Sequence, residues 1–542
     1  MINKKIAVSV KKYSKKIFYF VFLFLVATCP LFAQEGSEKG KWIYEAEEAT
    51  KDDDIMPGTV IARGHVFFYN KGDVKGYCDS AYLYDEGKGD IEAFGKPVKV
   101  HINDTVTLYG LYFYYNITTK IASISREVKL EDNTSTLYTD SLIYDRNTGI
   151  AYYVTGGKII NKDNTLTSIK GKYYTRNNDV KLQDNVLLVN EKYAMDCDSL
   201  GFNTRTEVVR FLSRTHLVSE ENIINTTSGW YDTKQDIALL IEQVEVYNES
   251  QQLFGDSIYY EKMQHFGRGW KNTVLRDTVK NYVLKGNYAE YYEDGGLSTV
   301  TDSALLILVD NEDSLFMHAD TIKILIDSLQ EPQALYGYFH AKFYRADIQG
   351  VCDSMVYIVS DSTLSMYYNP VIWSDAYQLS ADTIVFVVVD SVNTLLFLKK
   401  SGFIAEQLYD GNSFNQVKGL QIRGNIYRKQ LQTIDVIGNA ECLYYILEDD
   451  SSVIGVNSSN TSEMRILFNN NEIEYIKLDI QPDGKCYPLA QLSPDDRWLK
   501  DFRWLSLYRP RSIPDLFFYP IPREKGNEQT PLSSSQGKRP PK

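Results

Sequence analysis

A short phrase recurs along most of this chain: a small residue, Asp, Ser or Thr, then an apolar residue at every second position. It appears as Cys78-Asp79-Ser80-Ala81-Tyr82-Leu83, Thr139-Asp140-Ser141-Leu142-Ile143-Tyr144, Cys197-Asp198-Ser199-Leu200-Gly201-Phe202 and Gly255-Asp256-Ser257-Ile258-Tyr259-Tyr260. Later copies are Ala319-Asp320-Thr321-Ile322-Lys323-Ile324, Cys352-Asp353-Ser354-Met355-Val356-Tyr357 and Ala381-Asp382-Thr383-Ile384-Val385-Phe386. Looser versions place Gly where the Asp stands, at Gly110, Gly171, Gly229 and Gly286. The markers fall at 79, 110, 140, 171, 198, 229, 256, 286, 320, 353 and 382, so the interval is 27 to 34 residues. A phrase repeated at a near-constant interval is a structural unit, stacked many times.

The unit is a strand out and a strand back. Halfway between markers comes a second phrase, a Gly or turn residue followed by a small apolar one, as in Gly64-His65-Val66, Asp184-Asn185-Val186, Asn369-Pro370-Val371 and Gly438-Asn439-Ala440. Polar clusters such as Asp85-Glu86-Gly87-Lys88-Gly89 and Asp145-Arg146-Asn147-Thr148-Gly149 separate the alternating runs and read as hairpin turns. A strand of about a dozen residues at ~3.3 Å each is ~40 Å, too long to lie flat over one core, so each strand bends. Asp79, Asp140, Asp198, Asp256, Asp320, Asp353 and Asp382 mark the corners, since Asp bonds backbone freed at a bend and Gly tolerates irregular dihedrals. Two and four residues beyond the Asp, the side chains share one face. That face carries Leu83, Leu142, Tyr144, Leu200, Phe202, Ile258, Tyr260, Ile322, Ile324, Met355, Tyr357, Ile384 and Phe386. The expected fold is all-β: an elongated antiparallel β-jellyroll, a bent-strand meander with an apolar interior. The 41 Tyr, 24 Phe and only 8 Met agree with strands rather than helices.

Residues 1–33 read as a signal peptide. Lys4, Lys5, Lys11, Lys12, Lys15 and Lys16 precede a compact apolar run from Ile17 to Val26, and Ala33 offers a cleavage site. Cleavage there removes six Lys and no acid, so the charge becomes −13 − 6 = −19, which argues against nucleic acid as a partner. Five Cys remain, three of them (Cys78, Cys197 and Cys352) in the slot before the Asp. Thr139, Gly255, Ala319 and Ala381 fill the same slot elsewhere, so it takes a small residue and these thiols are expected to be structural and unpaired.

The pattern resembles the OstA/LptA family of periplasmic lipopolysaccharide-transport proteins. It stands here as Gly76-Tyr77-Cys78-Asp79-Ser80-Ala81-Tyr82-Leu83-Tyr84-Asp85 followed by Ile91-Glu92-Ala93-Phe94-Gly95-Lys96-Pro97-Val98. The likeness runs over residues 43–480 by repetition and is clearest over 58–390. The resemblance implies a periplasmic protein, associated with the outer membrane, whose interior holds the acyl chains of lipopolysaccharide or a related glycolipid. It implies edge-strand pairing with other jellyroll-containing transport proteins. The interior stripe named above would be the lipid-binding surface. The repeat never switches to the ten-residue lipid-facing strands of a membrane barrel.

Nothing in the sequence points to catalysis, a cofactor or a metal. The six His form no HExxH or related ligand spacing, and Asp-Ser recurs too often to be a nucleophile and its base. Two other readings stand beside lipid transport: a non-catalytic structural or surface β-repeat protein, and a polysaccharide-acting parallel β-helix enzyme. The latter would not need a polar hairpin turn every fifteen residues or so. At the C-terminus, residues 488–522 read as a cap for the stack built on a short helix. Ser493-Pro494-Asp495-Asp496 supplies its start, and Trp498, Phe502 and Leu505 share one face. Residues 523–542, polar and rich in Pro and Ser, read as a disordered tail.

Overall fold

The computed structural model describes residues 41–70, 74–102, 106–292, 296–310, 313–329, 331–448, 452–469 and 472–518. The segments read from the sequence as a signal peptide and a disordered tail lie outside the described residues. Within them the protein is one antiparallel meander: unbroken strands pair with their neighbours along their length, and where a strand is split its two halves pair separately with the strands on either side. Early strands are long and bent, such as Val60–Asn70, Ile91–His101 and Asp179–Val189, each of 11 residues. In the middle of the chain the two halves separate: Leu297–Thr301 and Leu305–Leu308 both pair with Tyr282–Tyr292, one on each side of its corner. The half-strands then propagate as two facing sheets until Asn393–Gln407 joins them again. The last long strands, Gln430–Leu447 and Val453–Asn469, have 18 and 17 residues and continue the meander past the point where the sequence phrases blur.

The corners are two-sided. The strand carrying the Gly-x-Val phrase bulges by one residue, and two consecutive bulge residues adopt left-handed backbone. Gly64–His65 oppose Asp79, Arg126–Glu127 oppose Asp140, Asp184–Asn185 oppose Asp198, and Glu242–Gln243 oppose Asp256. The pairs Phe339–His340, Tyr368–Asn369 and Lys400–Ser401 stand beside Asp320, Asp353 and Asp382. The backbone strain therefore sits on the Gly-x-Val side, which explains the Gly, Asn and Asp found there. Asp79 accepts a bond from the Lys96 amide at 3.1 Å, Asp256 from the Asn272 side chain at 3.1 and 3.2 Å, and Asp320 lies 2.8 Å from His340 Nδ1. The expected backbone partner is thus present at Asp79, whereas Asp256 and Asp320 bond side chains of a neighbouring corner. The slot before the Asp points inward and is tight, with Cys78, Ala319, Cys352 and Ala381 all buried. All five described cysteines are free, and burial pushes the thiols of Cys78, Cys352 and Cys442 up to about 12.

The first end of the interior is closed by Trp42. Its indole packs edge-on against Phe68 and Tyr115 at 5.8 Å each and donates to the Gly89 carbonyl at 2.9 Å. At the other end, Glu472–Asp479 and Asp483–Pro488 both pair with Val453–Asn469, and neither has a second partner strand among the described residues.

The C-terminal segment departs from the sequence expectation. It contains only 3-10 turns, at Leu489–Gln491, Asp495–Arg497, Ser506–Tyr508 and Ile513–Phe517, and no α-helix forms across Trp498, Phe502 and Leu505. It also does not cover the end of the stack. It runs as a strap across the outer face of one half-sheet, opposite the interior. Three buried glutamines hold it. Gln416 donates to the Arg497 carbonyl at 2.9 Å and accepts from the Leu499 amide at 2.8 Å. Gln378 repeats the arrangement with Arg503 and Leu505, both at 2.7 Å, and Gln349 accepts from Arg509 at 2.7 Å. The polar groups a helix would bond internally are taken by these side chains instead, and Asp501 turns the chain with a φ of 73°. Trp498, Phe502 and Trp504 do share one apolar surface, around Phe414, and Phe517 lies 4.4 Å from the His318 ring at the far end.

Candidate functional site

Strand register converts the repeated phrase into a continuous surface. Side chains directly opposite in adjacent antiparallel strands touch, so a chain of such pairs forms a rung across the stack. One inward rung starts at Leu83 and passes through Ile91, Tyr115, Ala122 and Tyr144. It continues through Ala151, Tyr173, Val180, Phe202, Val209, Tyr231, Ala238 and Tyr260. Beyond Gly267, Tyr291 and Ser298 it reaches Ile324, Leu335, Tyr357, Leu364, Phe386 and Leu396, then Gly424, Ile434 and Ile466, and ends at Ile476. About 26 strands at ~4.8 Å make this rung on the order of 120 Å long.

A second inward rung lies nearer the corners. It runs Leu200, Phe211, Gly229, Leu240, Ile258, Gly269, Ala289, Val300 and Ile322, then Gly337, Met355, Met366 and Ile384. The earlier strands carry Leu142 to the same side, buried beside Ile124. All thirteen stripe residues chosen from the sequence therefore belong to the two inward surfaces. The sequence did not reveal the alternation within the first of these rungs. In the first half aromatic residues (Tyr115, Tyr144, Tyr173, Phe202, Tyr231) alternate with small ones (Ala122, Ala151, Val180, Val209), whereas the second half is largely aliphatic. The small partners come from the returning strands, whose phrases are weaker.

The interior is not equally filled along its length. Leu83, Leu142, Tyr144, Leu200 and Phe202 are closed off by their own neighbours, as are Ile322, Met355 and Ile384 further on. Tyr357 and Phe386 are half-buried. Tyr260 differs in kind: it sits on the inward rung, yet 39% of its surface is exposed. The two large apolar clusters stop on either side of it, one ending at Ile258 and the other beginning at Leu284. Opposite Tyr260 stands Gly267, where an added Cβ would meet only Tyr260 and Tyr291 atoms at 3.9 Å. The rung thus opens to solvent midway along the stack.

The tyrosines near this opening have raised pKa values. Burial pushes Tyr193 up to about 12, and burial together with a 2.6 Å hydrogen bond to Asp236 raises Tyr231 further. Both therefore remain neutral at physiological pH. His318, the sequence's nearest histidine to an acid, lies on the outer face under the strap, with Nδ1 2.6 Å from the Ala304 carbonyl.

Residues 41–198 match a family model described as OstA-like protein. Among solved structures, one match is LptH, described as the LptA homologous periplasmic component of the conserved lipopolysaccharide transport device from Pseudomonas aeruginosa. The identity is 21%, the TM-score 0.19, and the match covers 20% of this chain and 80% of that one. No curated protein matches the chain. The matched span contains the corner residues Asp79, Asp140 and Asp198 and the first inward rung from Leu83 to Val180. Residues 41–198 of this chain are thus similar to the OstA-like family.

Proposed function

We propose that this protein is a non-catalytic carrier that binds lipopolysaccharide or a related glycolipid and helps move it across the periplasm to the outer membrane. The observation that supports the reading most is the inward rung itself, about 26 strands paired end to end and apolar along most of its length. A transported acyl chain needs apolar contact at every step, and a rung that repeats its side chains supplies it at roughly 25 cal/mol per Å² buried. Because the first half is closed by its own aromatics, the opening at Tyr260, Gly267 and Tyr291 is where an acyl chain first meets the rung. The exposed final strands, Glu472–Asp479 and Asp483–Pro488, are the edge at which a related jellyroll protein would add its own strand.

Close packing of the first half favours a second reading for that part alone, as a rigid β spacer. One experiment separates the two. A photo-crosslinker at Tyr260 and at Phe386 captures lipopolysaccharide in cells, while the same probe at outward Lys323 does not. A probe at Phe202 reports whether lipid enters the aromatic half. Equal labelling at Tyr260 and Lys323 would sink the carrier reading.

A further inference from the structure

An outward row lies across the same N-terminal strands and is not used by the carrier reading. Tyr77 stands opposite Lys99, Lys99 opposite Tyr109, Tyr109 opposite Lys129, Lys129 opposite Tyr138, and Tyr138 opposite Lys158. Phe67 extends the row beyond Tyr77, their rings 4.9 Å apart. Lysine and aromatic residues therefore alternate over six adjoining strands, with Phe67 on a seventh, on the surface of an acidic protein. The lysines flank the rings: Lys99 Nζ is 5.7 Å and Lys129 Nζ 5.5 Å from the Tyr109 centroid. Glu131 pairs with Lys129 and bonds the Tyr109 hydroxyl, which fixes both side chains.

The row ends in a hollow of about 780 Å³, walled by Tyr109, Tyr138, Lys129, Lys158 and Pro97 and floored by Gly156–Gly157. The hollow is shallow and open to solvent, so it suits a chain lying across it rather than a small enclosed ligand. Gly156 keeps the floor low, since a Cβ there would meet nothing within 4 Å. Glu127 and Asp140 border the hollow and offer carboxylates to hydroxyl donors.

We propose that this row and hollow form a binding site for an acidic glycan, a sugar chain bearing carboxylate, sulfate or phosphate groups. Successive lysines are two strands apart, ~9.6 Å, the length of a disaccharide repeat. Acidic groups on alternate sugars then meet lysines, and the sugars between them stack on tyrosines. Glu127 and Asp140 accept sugar hydroxyls and repel a bare polyanion, which favours a glycan over nucleic acid. The site does not rest on the carrier reading, because it lies on the opposite face of the sheet from the interior.

The test uses the mature chain and a fluorescein-labelled heparin octasaccharide, read by anisotropy with dextran, polyphosphate and an oligo-dT as competitors. The octasaccharide binds, and Tyr109→Ala with Tyr138→Ala weakens it at least tenfold. Lys99→Gln with Lys129→Gln and Lys158→Gln weakens it as much and flattens the salt dependence. Dextran does not compete. Absence of octasaccharide binding, an unchanged affinity in the tyrosine variant, or equal competition by polyphosphate or oligo-dT overturns the proposal. Tyr138→Ala alone changes an exposed ring and serves if the double variant fails to fold.

Discussion

Replacing Gln378 by Met should unlatch the C-terminal strap while leaving the β stack intact. The side chain is 1% exposed and makes three bonds: it donates to the Arg503 carbonyl at 2.7 Å and accepts from the Leu505 amide at 2.7 Å and Trp373 Nε1 at 3.2 Å. Met fills the same volume but offers none of these partners. Stranding a buried polar group costs ~1–3 kcal/mol, so the closed strap loses about 3–9 kcal/mol over the three groups. The strap can avoid most of that by lifting, which returns Arg503 and Leu505 to water but exposes Phe502 and Trp504. Local opening is therefore the cheaper response. At 1.4 kcal/mol per tenfold, even a 3 kcal/mol loss lowers amide protection near Leu505 about a hundredfold. Hydrogen exchange followed by mass spectrometry reads this directly, with trypsin cleavage after Arg503 as a second measure. Protection in Val453–Asn469 should not change. An unaltered exchange rate at Leu505 would refute the claim that the glutamine clamps, rather than the aromatic contacts, hold the strap.

Three further outcomes follow from the geometry. In the chain cleaved after Ala33, a thiol reagent at pH 8 should label Cys486 rapidly and leave Cys78, Cys352 and Cys442 unreacted until the protein unfolds; fast labelling of all five would contradict their burial. Gly267→Ala should shift stability by less than about 0.5 kcal/mol, because the space is open. By contrast, Gly286→Ala should cost ~1–3 kcal/mol, because its Cβ would lie 2.3 Å from Val300 Cγ1; denaturant melts with similar midpoints for both would refute the difference. Burial holds the His318 pKa below its ordinary value, so the unfolded or lifted state binds the extra proton. Strap stability at Phe517 is then fully present above pH 6.5 and falls as pH drops below it. Trypsin cleavage after Arg511 should rise between pH 7.5 and pH 5.5, corrected for protease activity, and His318→Gln should remove the rise.

Much of this architecture is legible in the sequence because a β meander reuses one solution. The interval near 30 residues, the parity after Asp79 or Asp382 and the turn at Asp145–Gly149 are local properties, and the structure places them as expected. The fold class and the two inward surfaces follow from those alone. The C-terminal strap was misread for the opposite reason. Ser493-Pro494-Asp495-Asp496 is a sound local helix start, but Gln378 and Gln416 lie more than eighty residues away and claim the backbone groups a helix would use. No pattern within residues 488–518 announces those partners.

By itself, then, the sequence determined a stack of bent strands with an apolar stripe and small residues at the corners, since side-chain parity and turn chemistry are set by near neighbours. Only the tertiary structure decided how that stripe is used. Register joins Leu83 to Ile476 in one rung, packs the aromatic half shut and leaves Tyr260 open against Gly267. Which residues lie opposite one another depends on bulges such as Gly64–His65 and Glu242–Gln243, and each bulge moves the pairing of everything beyond it.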